Sequence, residues 1–134
     1  MRNFLTALLM TVSFSFAFAG PTKNEMRDMG KAFKKINATI RDASQNQANA
    51  ALANQIAQLL YAVVDVMPST ISELPSAQQA EAWATYQEMI NQEIVLAGQL
   101  EQAFLNNDNA LAKQIFDEMS DLMDQGHDRF EPQE

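Results

Sequence analysis

Cysteine is absent from all 134 residues, and that removes several chemistries at once. No disulfide can staple the chain, no thiolate can hold zinc or an iron–sulfur cluster, and no C-x-x-C-H motif can tether a haem covalently. Stability must come from a hydrophobic core, which a single domain of this length can build. Histidine is nearly absent too, His127 being the only one. There is no nucleophile–histidine–acid set, no paired-carboxylate signature on an inward stripe and no phosphate-binding glycine loop, so an enzyme is not expected. Strand-like alternation and internal repeats are also missing.

Positive charge is scarce and unevenly placed. Nine Lys and Arg stand against 17 Asp and Glu, a net charge of −8. Lys23, Arg27, Lys31, Lys34, Lys35 and Arg41 lie in one short stretch, and beyond Gln45 only Lys113 and Arg129 face fourteen carboxylates. A nucleic-acid partner is therefore disfavoured. The basic stretch is either a helix lying against acidic neighbours or a polarised surface that orients a partner during encounter. The first is the simpler expectation.

Long apolar runs are missing except at the start. Arg2 precedes an apolar run from Phe4 to Phe18 with no acidic residue, and Ala17-Phe18-Ala19 forms an A-x-A site before Gly20. Residues 1–19 read as a secretory signal peptide cleaved after Ala19, the alternative being an uncleaved N-terminal anchor. The run is too short for a convincing membrane span. A periplasmic mature domain of residues 20–134, without stable membrane insertion, is the expectation.

That domain carries four helical patterns. Thr22 and Glu25 form a capping-box signature, followed by Met26, Met29, Phe33, Ile36 and Ile40 on one stripe to about Ala43. Gly30 inside this helix costs about 1 kcal/mol relative to alanine, so it implies a close neighbour or a bulky ligand. Asn46 is the expected cap of a second helix with Leu52, Ile56, Leu59, Val63 and Val66 inward, stopping at Met67-Pro68. The Pro68–Pro75 connection is pinned by Ile71 and Leu74. Ser76 and Gln79 open a third helix with Trp83, Tyr86, Ile90, Ile94, Ala97, Leu100 and Phe104 inward and Glu93 solvated at the stripe's edge. After a polar turn at 106–109, a fourth helix carries Leu111, Ile115, Phe116, Met119, Leu122, Met123 and His127, and Pro132 ends it. The expected fold is all-α: an antiparallel, up-down-up-down four-helix bundle.

In such a bundle the start of the first helix and the end of the fourth share one end. Met26 and His127 then face each other at equal depth, a thioether against an imidazole. Met/His is an axial pair for haem iron that raises the reduction potential and leaves no coordination position open. Met29 is the alternative sulfur, one turn deeper. Met123 shares a helix with His127 and cannot approach from the opposite side.

The chain resembles the cytochrome b562 family. The likeness rests on Met26 seven residues into the mature chain with Met29, Phe33 and Ile36 after it, on His127 followed by Phe130 near the C-terminus, and on Gly98-Gln99-Leu100-Glu101 before an Asn-rich turn. It implies a periplasmic bundle binding one non-covalent haem b through Met26 and His127. One turn before and one turn after the histidine, where basic residues often stand near the haem propionates, this chain has Met123 and Glu131; Arg27 and Arg129 are the cations left nearby. The leading expectation is a single-electron carrier in which Gly30 gives room and Phe33, Met123 and Phe130 line the pocket. It would serve an unidentified periplasmic redox partner, as a monomer or weak dimer. Two other readings compete with it: a Cu(I)-binding protein, since Met and His suit that ion, and a cofactor-free exported bundle acting as a binding or chaperone-like module.

Overall fold

The structure, a computed structural model, describes residues 22–130. The signal-peptide assignment (1–19), Glu131 and Pro132 lie outside the described residues.

Every element among the described residues is helical: α1 (Lys23–Thr39), a 3-10 turn (Ala43–Gln45), α2 (Asn46–Val63), a short α3 (Ser69–Ser72), α4 (Ser76–Leu105) and α5 (Asn109–Phe130). The four long helices match the four hydrophobic patterns. On α1 the expected stripe is the buried one, with Met26, Met29, Phe33, Ile36 and Ile40 all in the core. On α2 the stripe is rotated. Ala50, Ala53, Ile56, Ala57, Leu60 and Val63 are buried, while Leu52 and Leu59 pack only partly against them. Small alanines at the contact let helix axes approach closely, and the larger leucines fill the flanks. On α5 Leu111 is 42 % exposed, contrary to expectation, because Ala112 and Ile115 take the inward positions at that end.

Three expected caps are not formed. The Thr22 side chain makes no cap hydrogen bond and its backbone (φ −100°, ψ 7°) is not extended, so the capping box with Glu25 fails. Pro75 occupies the cap of α4, and Gln79 instead donates to the Ser72 and Leu74 carbonyls, tying α4 to α3. Before α2, Asp42 accepts from the amide and hydroxyl of Ser44, and α1 ends at Thr39, short of Ala43. Similarly, α2 ends at Val63, and Val66 lies beyond it.

Asn46, read as a cap, lies inside α2 and does something of longer range. It is 2 % exposed, its amide donates to the side chains of Asn107 and Asn109 at 3.0 Å each, and it accepts from Asn109 at 2.8 Å. Asn109 also donates to the Ile40 carbonyl. Asn107 takes the left-handed conformation (φ 57°) that ends α4, with the Asp108 and Asn107 amides donating to the Ala103 and Phe104 carbonyls. Asp108 then accepts from the Leu111 amide at the start of α5. These bonds gather α1, α2, α4 and α5 at one end. Asn46→Ala is expected to cost about 1 kcal/mol, because it removes the buried amide that bonds the exposed Asn107 and the half-buried Asn109. A drop in urea midpoint with unchanged slope is the measurement.

Elsewhere Asn54 donates to Glu101, and Gln87 reaches the Val64 carbonyl and Asp65, binding α2 and its C-terminal turn along α4. Backbones pack most extensively along α2–α4, α4–α5 and α1–α2. The α1–α5 seam is looser, bridged by side chains such as Phe33 and Phe116 at 5.1 Å between ring centroids. A wide seam is where a guest between helices would sit.

Candidate functional site

At the end opposite the asparagine cluster, α1 begins and α5 finishes. Ile71 is fully buried there, so the short α3 is pinned as expected. It packs with Tyr86 and Phe130 in a second apolar cluster. The Thr70 hydroxyl donates to the Phe130 carbonyl, fixing the last turn of α5 and with it the register of His127. The Tyr86 ring stacks on Trp83 and meets Phe130 edge-on at 5.4 Å.

Between this cluster and the main core lies a cavity of about 50 Å³. Met26, Met29 and Phe33 line it from α1, Leu60 from α2, Tyr86, Met89, Ile90 and Glu93 from α4, and Leu122, Met123, Gly126, His127 and Phe130 from α5. Five of the six expected site residues are therefore brought together: Met26, Phe33, Met123, His127 and Phe130. Gly30 is buried on α1 but does not line the cavity, because the inward arc there is taken by Met26, Met29 and Phe33. Of the α4 residues expected inward at this end, Tyr86 and Ile90 reach the cavity, whereas Trp83 backs Tyr86 from outside. Met26 and Met29 are both 2 % exposed and both at the wall, so either sulfur is available.

Electrostatics at the site follow burial. Desolvation pulls His127 down to about 4, and the neighbouring Asp128 only partly offsets it. The imidazole is neutral at pH 7, although the C-terminal end of a helix favours a cation. A neutral imidazole is the form that ligates metals. Glu93 overturns an expectation. It is 4 % exposed rather than solvated, and burial holds its carboxyl well above the usual carboxylate range. The signal was present in the spacing, since Glu93 follows Tyr86 by seven residues and precedes Ala97 by four, in the middle of the inward stripe. Burial likewise pushes the Tyr86 phenol up to about 12.

The family model for cytochrome b562 matches residues 22–131. The chain belongs to the cytochrome b562 family. Neither the search of curated proteins nor that of solved structures gave a match. Membership makes this a haem-binding, electron-carrier type of cytochrome, and the all-helical fold agrees with it. The donor set at the cavity suits a haem of that family. A buried thioether on α1 and a buried neutral imidazole on α5 flank the loosest seam, and the rest of the wall is almost wholly apolar. A macrocycle needs more than the present 50 Å³, and the unbranched methionines of the wall are the side chains best able to yield that room. No group of three or more His, Cys, Asp or Glu able to hold a metal occurs among the described residues. Nor is any helix there long and apolar enough to cross a membrane.

Proposed function

We propose that this cytochrome b562 family member is a periplasmic electron carrier holding one non-covalent haem b between Met26 and His127. The observation that carries the reading is their convergence: from opposite ends of the sequence, two buried ligand-type side chains reach one apolar cavity at the loosest seam of the fold. The pairings of Asn46 with Asn109, Asn54 with Glu101 and Val64 with Gln87 support long helices alternating in direction, up-down-up-down. The N-terminal apolar run and its A-x-A site support export through a cleaved signal at 1–19, and with it a periplasmic location.

Bound haem would supply a one-electron couple. The protein's own residues do the rest. His127 is kept neutral by burial and so is ready to ligate without first losing a proton, Met26 offers a soft sulfur, and Phe33, Met123 and Phe130 exclude water. Held by both Met26 and His127, a haem would have a raised potential and no free coordination position, which would suit a carrier rather than an enzyme. The test is to add haemin to the mature protein and record reduced-minus-oxidised spectra; a sharp low-spin band is the expected result, and its absence sinks the reading.

The basic residues of α1 bear on the partner. Lys23, Arg27, Lys31, Lys34 and Lys35 are all exposed and, at about 100° per residue, fall within roughly a third of the helix circumference. Arg41 continues the same line. Among the described residues the only ion pair is Lys113–Asp117, so none of these cations is in one there. We take this stripe as the face that meets a redox partner, and the domain as a monomer or weak dimer. Electron exchange with ferricyanide should slow as salt rises, and slow several-fold at low salt in a Lys31→Glu, Lys34→Glu double variant, if the stripe steers anions.

A second reading draws on the four methionines at the cavity wall, which with His127 form a soft donor set for Cu(I). Tight Cu(I) binding without haem uptake would favour it.

A further inference from the structure

Among the described residues, the Tyr86 hydroxyl and Oε1 of Glu93 in the cavity wall have no hydrogen-bond partner. Their residues are 3 % and 4 % exposed. They stand seven residues apart on α4, hence on one face and about 10 Å apart along the axis. The other titratable side chain in the same wall is His127. Tyr86 is packed between the Trp83 and Phe130 rings, and Glu93 shares the wall with thioethers and aliphatic side chains.

The contrast with the other end of the molecule is informative. There the buried Asn46 and Asn49 each satisfy their amide groups, Asn46 with two asparagines and Asn49 with Thr39. Burying a polar group without a partner costs roughly ten- to a hundredfold in the folding equilibrium, and phenylalanine and leucine would fill the same space without that cost. Two such groups in the wall of one cavity point to something that enters it. Burial disfavours the charged form of both, and the neutral form of each presents an O–H. What they need is an acceptor, and an O–H donating to a carboxylate is among the stronger hydrogen bonds. Haem is apolar around most of its edge and carries two carboxylates. The cations nearest in sequence do not serve them. Arg27 is exposed and donates to Asn24, Arg129 is exposed above the Phe130 ring, and neither lines the cavity, while Met123 is uncharged.

We propose that the Tyr86 hydroxyl and the Glu93 carboxyl are the groups that recognise the haem carboxylates, replacing the basic residues that would otherwise anchor them. The proposal rests on the haem-binding reading and adds a specificity contact to it. It makes an unusual pair of demands, because the same group weakens the empty protein and strengthens the filled one.

The test compares wild type with Tyr86→Phe, Glu93→Leu and Glu93→Gln. Urea unfolding is run without haem, and binding is titrated with haemin and with iron octaethylporphyrin, which has no carboxylates. Tyr86→Phe and Glu93→Leu should raise the haem-free folding constant about tenfold, weaken haemin binding tenfold or more, and leave octaethylporphyrin binding unchanged. Glu93→Gln keeps a donor and should bind haemin within a few-fold of wild type. Lower stability of the haem-free Tyr86→Phe and Glu93→Leu proteins, or equal losses for both porphyrins, overturns the proposal. Uptake of haemin unaffected by either variant overturns it alone and leaves the haem reading standing. A wild-type chain that takes up neither porphyrin overturns both.

Discussion

His127→Ala is expected to lower haemin affinity by more than about 100-fold and to erase the low-spin spectrum. Loss of an outer-shell partner alone costs about 10–100-fold in metal sites, and removing the ligand itself must exceed that. The side chain is 9 % exposed at the cavity wall, and among the described residues no other imidazole can replace it. The methionine variants separate the two candidate sulfurs. Met26→Ala should retain haemin through His127, but with a high-spin or mixed spectrum and a potential lowered by on the order of 100 mV, within the roughly 0.8 V range that axial ligands span. Met29→Ala should keep the low-spin band. The reverse pattern would move the ligand one turn deeper along α1. Haemin titration, absorption spectra and spectroelectrochemistry on the three variants make the comparison.

That Met26 and Met29 both reach the wall marks where reading a sequence stops. Period and topology brought α1 and His127 to one end of the fold, but adjacent turns of one stripe share a face, and only distances to a bound group separate them. The same periodicity placed all five α1 core residues and Tyr86, Leu100 and Phe104 on α4 correctly. It failed where local chemistry was allowed to override position. Glu93, near the inward face and the only candidate buried acid, reads as solvated at the stripe's edge, yet it is buried. Asparagine is a common cap, so Asn46 reads as one locally, while its partners lie 61 and 63 residues away. Leu52 and Leu59 share the spacing of the second helix's stripe, yet helix–helix contact on α2 runs largely through Ala50, Ala53 and Ala57. Local rules cannot see partners that only the fold supplies.

Glu93 and His127 together set the second large expectation, an unusual dependence of the haem-free protein's stability on pH. Stability rises with pH wherever the unfolded chain binds more protons than the folded one. His127 is about 4 when folded and near 6.5 when unfolded, so between those values the unfolded chain holds the extra proton, and stability falls as pH drops through that window. The full shift corresponds to about 3 kcal/mol. Glu93 works in the opposite sense. Its folded value lies well above its unfolded value near 4.5, so the folded chain keeps a proton that the unfolded one has lost, and stability declines as pH rises above 4.5. From about 4.5 to 6.5 the two slopes oppose each other. Above 6.5 the His127 slope is spent, and the Glu93 decline continues for as long as the folded carboxyl keeps its proton, until Tyr86 adds a loss of the same sign above about 10. The haem-free protein should therefore melt at a higher temperature at pH 6 than at pH 8.5. Glu93→Gln should flatten that decline, and His127→Leu should leave it intact while removing the loss below pH 6.5. Calorimetry of the three proteins across pH 4 to 9 decides it; a wild-type melting temperature still rising from pH 6 to 8.5 would mean that Glu93 is ionised in the folded chain. It would then be a buried negative charge in the wall of the cavity that Met26 and His127 share, and under the proposed ligation it would favour the oxidised, more positive iron and lower the potential.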